Sequence, residues 1–160
     1  MATEDEPRKV ALITGSESGI GRATAIKLAE RRYDLALLGI DEEALSRLCV
    51  DLRKQYGVSV IGLVADVSER EAVAEAMTNL TNYYGRLDVL IVNAGINGTW
   101  APIDDLSEDE WDKTISVNLK GCYLSLHHAV PHLKKTGGAI VIVSSINGTR
   151  TFTSPGATAY

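Results

Sequence analysis

Cysteine is scarce in this sequence, positive charge is not in excess, and long apolar runs are missing. The two cysteines, Cys49 and Cys122, form no CxxC pair, so we expect no disulfide framework and a reducing, cytoplasmic compartment. The 16 Lys and Arg against 21 Asp and Glu give a net charge of −5, which argues against a nucleic-acid partner. The longest apolar runs, such as 89–92 and 139–143, fall far short of the roughly 18 residues that span a bilayer. We therefore expect no membrane partner.

Short apolar runs alternate with longer segments that have a helical period. The runs are 10–14, 35–40, 58–64, 89–92 and 139–144. Their near-continuous apolar character is typical of strands buried on both faces, as in a parallel sheet. Strand–helix alternation at this spacing predicts right-handed crossovers and an α/β fold, a Rossmann-type doubly wound parallel sheet of five strands. No linker divides the chain, so residues 1–160 are predicted to form one domain.

The helical segments are defined by apolar stripes and by capping residues. A helix that begins near Gly19 carries an apolar stripe, and Asp41 is placed to cap the next helix. Acidic residues after Ser107 are typical of a helix start, and a later helix is predicted over 117–135. The stripe of the first helix comprises Ile20, Ala23, Ala25, Ile26, Leu28 and Ala29.

A glycine-rich turn, TGSESGIG at 14–21, connects the first strand to the first helix. Glycines at such a turn let the backbone approach a ligand closely, and a helix N-terminus favours a pyrophosphate. The spacing is GxxxGxG rather than GxGxxG, and the GK[ST] of a P-loop is absent. Taken alone, the turn is equally consistent with a tight strand–helix connection that needs glycine.

This turn and five later segments resemble motifs of the short-chain dehydrogenase/reductase family, in the family's order and at its usual spacing. TGSESGIG is similar to the family's cofactor turn, TGxxxGIG. The resemblance extends from Lys9 to Tyr160. The other matching residues are Asp66-Val67 after the third strand, Asn93-Ala94-Gly95 after the fourth (Val92 replaces the first Asn of NNAG), Asn118 on the fifth helix, Ser145 after the fifth strand, and Tyr160 at the Tyr of YxxxK.

The resemblance implies an oxidoreductase that transfers a hydride between a nicotinamide cofactor and a small-molecule alcohol or carbonyl substrate. It implies that Asn118 holds a water in the proton relay, that Ser145 orients the substrate oxygen and that Tyr160 is the general acid/base. The family's interface helix implies a homo-oligomer when the enzyme is full length. The residues implied to bind the cofactor are Gly15, Ser18, Gly19, Ile20, Gly21, Asp66, Val67, Asn93, Ala94 and Gly95.

Several of these residues also have structural interpretations. Asp66 is equally placed to cap a helix that starts near Ser68. Asn93 is placed to tie a strand end to a neighbouring loop. Asn118 on a helix is consistent with a solvated polar side chain. Ser145 has Ser144 beside it, and only the family register favours the second serine.

The choice between NAD and NADP depends on the end of the second strand. An NAD enzyme usually has an acid there that binds the ribose 2′-OH. This sequence has Gly39 at that position and Ile40 where NADP enzymes often have Arg. Ser18 likewise lacks the positive charge of many NADP-dependent members, and Asp41 is placed either to bind the 2′-OH or to cap its helix. Because no cation is placed for a 2′-phosphate, the sequence favours NAD slightly.

The Lys of YxxxK and the family's C-terminal strands are not in the sequence, which stops at Tyr160. We expect an N-terminal part of a longer enzyme rather than a natural short protein, with little or no activity alone. The alternatives are a non-catalytic nucleotide-binding or regulatory Rossmann module and a flavodoxin-like or receiver-like domain. His128 and His132 lie four apart with Pro131 between them and no acidic or Cys partner nearby, so we expect an exposed polar face and no metal.

Overall fold

The computed structural model describes residues 7–146, in which five strands alternate with helices. The strands are β1 (Val10–Thr14), β2 (Asp34–Gly39), β3 (Val60–Val64), β4 (Val89–Val92) and β5 (Ala139–Ile142). The α-helices are α1 (Gly19–Glu30), α2 (Glu42–Tyr56), α3 (Arg70–Tyr84), α4 (Glu108–Ile115) and α5 (Gly121–Thr136). The predicted α/β fold is confirmed.

All strand pairs are parallel, and their order across the sheet is β3-β2-β1-β4-β5. The chain steps outward from β1 to β3 and then returns to the other side of β1 with β4. A crevice forms outside the carboxyl ends of the strands where the direction reverses, and doubly wound proteins bind nucleotides there. This order belongs to the Rossmann type and excludes the flavodoxin-like or receiver-like alternative, whose order is 2-1-3-4-5.

The sheet buries an apolar core on each face, as the doubly wound prediction requires. One core joins β1, β2 and β3 to α1 and α2 through residues such as Ile13, Leu37 and Leu45. The other joins the opposite face to α3 and α5 through residues such as Leu90 and Leu133. Two helices on each side hold the strands in one plane and thereby fix the positions of the loops at their carboxyl ends.

The predicted stripe of α1 is wrong at two positions. Ile20 is 62% exposed and Ala23 is exposed, whereas the buried face consists of Gly21, Ala25 and Ala29. These three residues are spaced i, i+4, i+8, and their small side chains let α1 lie close to the sheet. The face of α1 that packs on the sheet is therefore the one with small residues, which allow close approach, and not the one with the largest apolar side chains.

Strand β5 also departs from the prediction, because all four of its residues are exposed rather than buried. It pairs with β4 alone and forms one edge of the described sheet. A continuous apolar pattern predicts burial, but burial depends on which elements cover the strand.

The helix predicted over 117–135 is longer and less regular than expected. Residues 108–136 are continuously helical, and a π-helical segment, Ser116–Lys120, separates α4 from α5. The predicted start is confirmed, since the Ser107 side chain caps α4 by accepting a hydrogen bond from Glu110 N at 3.3 Å. Among residues 7–146, no helix has both the length and the apolar character of a membrane span.

Candidate functional site

The glycine-rich turn leaves β1 at its carboxyl end and is tied to β2. Gly15 has φ of 60°, in the left-handed region that favours glycine. Ser16 follows and donates to Leu38 O from both its backbone N (3.1 Å) and its Oγ (3.2 Å). Gly21 packs so closely beneath the turn that any side chain there would overlap Gly15 O. The turn is therefore held in one conformation, with the N-terminus of α1 at its end.

A compact hydrogen-bond network joins this turn to the end of β4. The buried Thr14 Oγ1 accepts from Asn93 N at 2.9 Å and from Ala94 N at 3.0 Å. The Asn93 amide in turn donates to Thr14 O and to Gly15 O, both at 3.0 Å. The prediction that Asn93 links a strand end to a neighbouring loop is thus confirmed, and its side chain stabilises the conformation of the glycine-rich turn.

A cleft of about 540 Å³ opens at the carboxyl ends of the strands. Gly21, buried behind the turn, does not line it. The other residues predicted to bind the cofactor all line the cleft: Gly15, Ser18, Gly19, Ile20, Asp66, Val67, Asn93, Ala94 and Gly95. Segments that are up to 80 residues apart in sequence therefore meet at one site, since Gly95 − Gly15 is 95 − 15 = 80.

Two charged residues of the cleft were not predicted, Glu17 and Lys113. Glu17 lies in the turn and reaches across to β2, where its Oε1 accepts from Ile40 N at 3.1 Å. Lys113 comes from α4 and is the one cation among the described residues that line the cleft. The missing acid at Gly39 directed attention to Asp41 and not to Glu17, and no local pattern distinguishes Lys113.

Asp66 lines the cleft and stabilises the loop after β3. Its Oδ1 accepts from Ser68 N at 2.8 Å and from Ser68 Oγ at 2.7 Å. The capping interpretation is wrong, because α3 begins at Arg70 and its N-cap residue is Glu69. Asp41, in contrast, does cap α2 by accepting from Ala44 N at 2.9 Å.

Asn118 lies in the π-helical segment and is half-buried, so the interpretation as a solvated polar residue is wrong. Its Oδ1 accepts from Ile96 N at 2.8 Å, and its Nδ2 donates to Ile96 O at 2.9 Å. The amide pairs with both backbone groups of Ile96 and fixes the segment that follows β4. π-helical turns occur frequently at functional sites.

A second cavity, of about 420 Å³, adjoins the cleft. The segment 93–96 and Val143 line both spaces, so a ligand in one would contact the same wall as a ligand in the other. Asn118, Ser144 and Ser145 line this second cavity; Ser145 is half-buried and Ser144 is exposed.

Cys122 lines the second cavity as well. Burial raises the pKa of its thiol, which disfavours the nucleophilic thiolate at neutral pH. Tyr160, the predicted acid/base, lies outside the described residues.

His128 and His132 on α5 differ from the expected exposed face, because both are half-buried. Burial is the main factor that lowers the pKa of His128, followed by the charges of His127 and Arg70. Within residues 7–146, no cluster of three or more His, Cys, Asp and Glu side chains could hold a metal ion. Cys49 and Cys122 are free thiols.

Comparison with known proteins agrees with this geometry. The family model of the short chain dehydrogenases matches residues 9–160. The chain belongs to the short-chain dehydrogenase/reductase family. The chain is 36% identical to a 3beta-hydroxysteroid dehydrogenase of Mediterraneibacter gnavus over 152 residues, which are 95% of the chain and 54% of that relative. The chain thus spans about half the length of the curated relatives it matches.

Solved structures resemble this chain as well. A 3-ketoacyl-ACP reductase from Sinorhizobium meliloti 1021 has a TM-score of 0.88 and 52% identity, and the match covers 91% of this chain and 57% of that one. A xylitol dehydrogenase solved with NAD+ has a TM-score of 0.86 and 32% identity, with 92% and 56% covered. Further structural neighbours were solved with 5-hydroxy-NADP or with NADPH. The family resemblance drawn from the sequence is confirmed.

Proposed function

We propose that this chain is the cofactor-binding part of an oxidoreductase that transfers a hydride between a nicotinamide dinucleotide and an alcohol or carbonyl substrate. The observation that carries the proposal is the cleft at the switch point of the sheet. There the glycine turn, the N-terminus of α1 and the loops after β3 and β4 meet. The amides of a helix N-terminus suit a pyrophosphate, and residues 19–22, the first turn of α1, carry no carboxylate that would repel it.

The residues of the cleft fit such a cofactor along its length. The turn at Gly15 and Gly19 would hold the pyrophosphate, and Asp66 with Val67 would contact the adenine ring. The segment 93–96 would support the nicotinamide end, beside the second cavity. When bound, the nicotinamide ring supplies or accepts the hydride.

The second cavity is proposed to hold the substrate. Ser145 would donate a hydrogen bond to the substrate oxygen, which stabilises negative charge that develops there. Asn118 fixes Ile96 through its side-chain amide, and by family resemblance it holds a water of the proton relay. Tyr160 would give or take the proton as general acid/base.

A tyrosine needs help to work as a base at neutral pH, because the pKa of a free phenol is about 10. A nearby cation lowers this pKa, and the family supplies it from a Lys four residues after the Tyr. That residue lies after Tyr160, so we propose that residues 1–160 alone bind the cofactor but do not turn over substrate.

We infer NAD rather than NADP as the cofactor. The end of β2 offers Gly39 and Ile40 and no cation, and Ser18 before the second glycine is uncharged. The described cleft lining has two carboxylates, Glu17 and Asp66, against the single cation Lys113. This balance disfavours an additional phosphate dianion.

We also propose that the intact enzyme forms a homo-oligomer. Leu124, Ala129 and Leu133 on α5 are buried against the sheet, but Leu119 is 65% exposed and Tyr123 is 53% exposed. Leu119 also lines the second cavity, whereas Tyr123 does not and is available to a second copy. Light scattering of the intact enzyme should show a dimer or larger species, and a monomer would contradict this proposal.

Cofactor binding tests the proposed function directly. We expect NADH to bind the intact protein saturably, as followed by the fluorescence of its nicotinamide ring. The Gly21→Ala variant should weaken that binding by more than about tenfold, or about 1.4 kcal/mol, because the added methyl would displace the turn.

The matched control is Gly62→Ala on β3, outside the cleft, where an added methyl meets Cys49 Sγ at 3.4 Å and Leu45 Cβ at 3.9 Å. This variant should bind NADH as the unaltered protein does. Absence of saturable binding of both NADH and NADPH to the unaltered protein would refute the proposed function.

A further inference from the structure

The Glu17 side chain occupies the space that a residue at position 39 would otherwise fill. Gly39 ends β2 and is buried, and any side chain added there would overlap the Glu17 carboxylate. The Glu17 Oε1 atom accepts a hydrogen bond from Ile40 N at 3.1 Å, directly beside Gly39. The turn after β1 therefore places a carboxylate at the end of β2, where the strand itself has no acid.

The second carboxylate oxygen of Glu17 lacks a hydrogen-bond donor within residues 7–146. Oε2 is buried and has no hydrogen-bond partner among the described residues, although Glu17 lines the cleft. A buried carboxylate oxygen without a donor is costly, because its lost hydration is not replaced. A hydroxyl from a ligand in the cleft would supply the missing donor.

We propose that Glu17 is the residue that selects NAD(H) over NADP(H), by accepting the hydroxyl of the adenosine ribose with Oε2. This inference rests on the proposed function, and it assigns to the turn a task that NAD enzymes usually give to an acid at the end of the second strand. Glu17 and Gly39 form a pair in this scheme, since the carboxylate fits only because residue 39 lacks a side chain.

The selection follows from charge and hydrogen bonding at one atom. A carboxylate oxygen accepts a bond from a 2′-OH, and such charge-assisted bonds are roughly twice as strong as neutral ones. A 2′-phosphate would bring a dianion without a donor to the same oxygen, and like charges repel. Lys113, the one cation of the described cleft lining, is carried by α4 and does not belong to the β1–β2 side.

The test measures the dissociation constants of NADH and NADPH for the intact protein by fluorescence titration, so that it does not depend on turnover. The unaltered protein should bind NADH more tightly. Glu17→Gln removes the charge and keeps the shape, and the preference should fall by about ten- to a hundredfold. Thermal unfolding of each variant confirms that it is folded.

Two further variants make the test specific. Glu17→Ser combined with Gly39→Asp moves the carboxylate to the strand end, and we expect it to restore the preference for NADH. Glu43→Gln removes an exposed carboxylate of α2 that is paired with Arg47 and does not line the cleft. It should leave the ratio of the two dissociation constants within about twofold, since solvent and salt screen an exposed charge outside the cleft.

The outcomes separate the two proposals. An unchanged ratio in Glu17→Gln, or a preference for NADPH in the unaltered protein, would overturn the role of Glu17 and leave the proposed function standing. A change in Glu43→Gln as large as that in Glu17→Gln would also overturn it, because net charge alone would then explain the selection. Failure of both nucleotides to bind the unaltered protein would refute the proposed function, and this inference with it.

Discussion

The geometry of the glycine-rich turn depends on one side-chain oxygen, Thr14 Oγ1. Thr14 is 1% exposed, and its Oγ1 accepts hydrogen bonds from the backbone N–H groups of Asn93 and Ala94. Thr14→Val keeps the shape of the side chain and removes the acceptor, so that both N–H groups lose their partner. We expect this substitution to destabilise the protein and to weaken cofactor binding together.

The magnitude follows from the two lost bonds. An ordinary hydrogen bond contributes about 1 kcal/mol, and a buried donor left unpaired costs about 1–3 kcal/mol. Asn93 and Ala94 are half-buried, so water recovers part of that cost. We expect Thr14→Val to lower the free energy of unfolding by about 2–4 kcal/mol in total.

The matched control is Thr14→Ser, which keeps the hydroxyl and loses only a buried methyl group, at a cost of about 0.5–1.5 kcal/mol. Urea unfolding of the intact protein measures both variants, and NADH titration measures the consequence for the turn. If Thr14→Val is as stable as Thr14→Ser and binds NADH equally well, the network does not hold the turn.

Two further predictions concern the sheet and the second cavity. Burial raises the pKa of Asp88, but hydrogen bonds from Arg86 and from Val10 N–H outweigh burial and hold that pKa below its ordinary value. The resulting stability is present above about pH 4, the unfolded pKa, and is lost as pH falls through the folded pKa. In Asp88→Asn, the midpoint of urea unfolding should therefore fall less steeply with decreasing pH below about pH 4 than in the unaltered protein. The same pH dependence in both proteins would contradict a stabilising role of the Asp88 carboxylate. For the cavity, Ser145→Ala should reduce steady-state turnover of the intact enzyme by about 10²–10³-fold, whereas Ser144→Ala should reduce it little, and the reverse result would assign the role to Ser144.

The sequence predicts the parts of this protein that depend on local pattern. Apolar runs identify the strands, and alternation with helices predicts a parallel, doubly wound sheet. The turn motif locates the cleft because a glycine turn between a strand and a helix always lies at the carboxyl edge of such a sheet. The capping role of Asp41 likewise follows from a contact within three residues.

The features that the sequence does not predict depend on partners far along the chain. Asn118 pairs with Ile96, 22 residues away, and Glu17 bonds to Ile40, 23 residues away. Neither pairing leaves a periodic signal. The predicted stripe of α1 is wrong at Ile20 and Ala23 for a related reason, since the hydrophobicity of Ile20 carries no information about how closely the helix approaches the sheet. The exposure of β5 depends on covering elements in the same way.

The turnover of Tyr160→Phe in the intact enzyme, with NADH binding measured on the same sample, tests whether this protein is an oxidoreductase with Tyr160 as its general acid/base. We predict that turnover falls by about 10²–10⁴-fold, the usual contribution of a general acid, while NADH binds with unchanged affinity. Full activity of Tyr160→Phe would contradict the assignment of this protein as an oxidoreductase of the proposed mechanism.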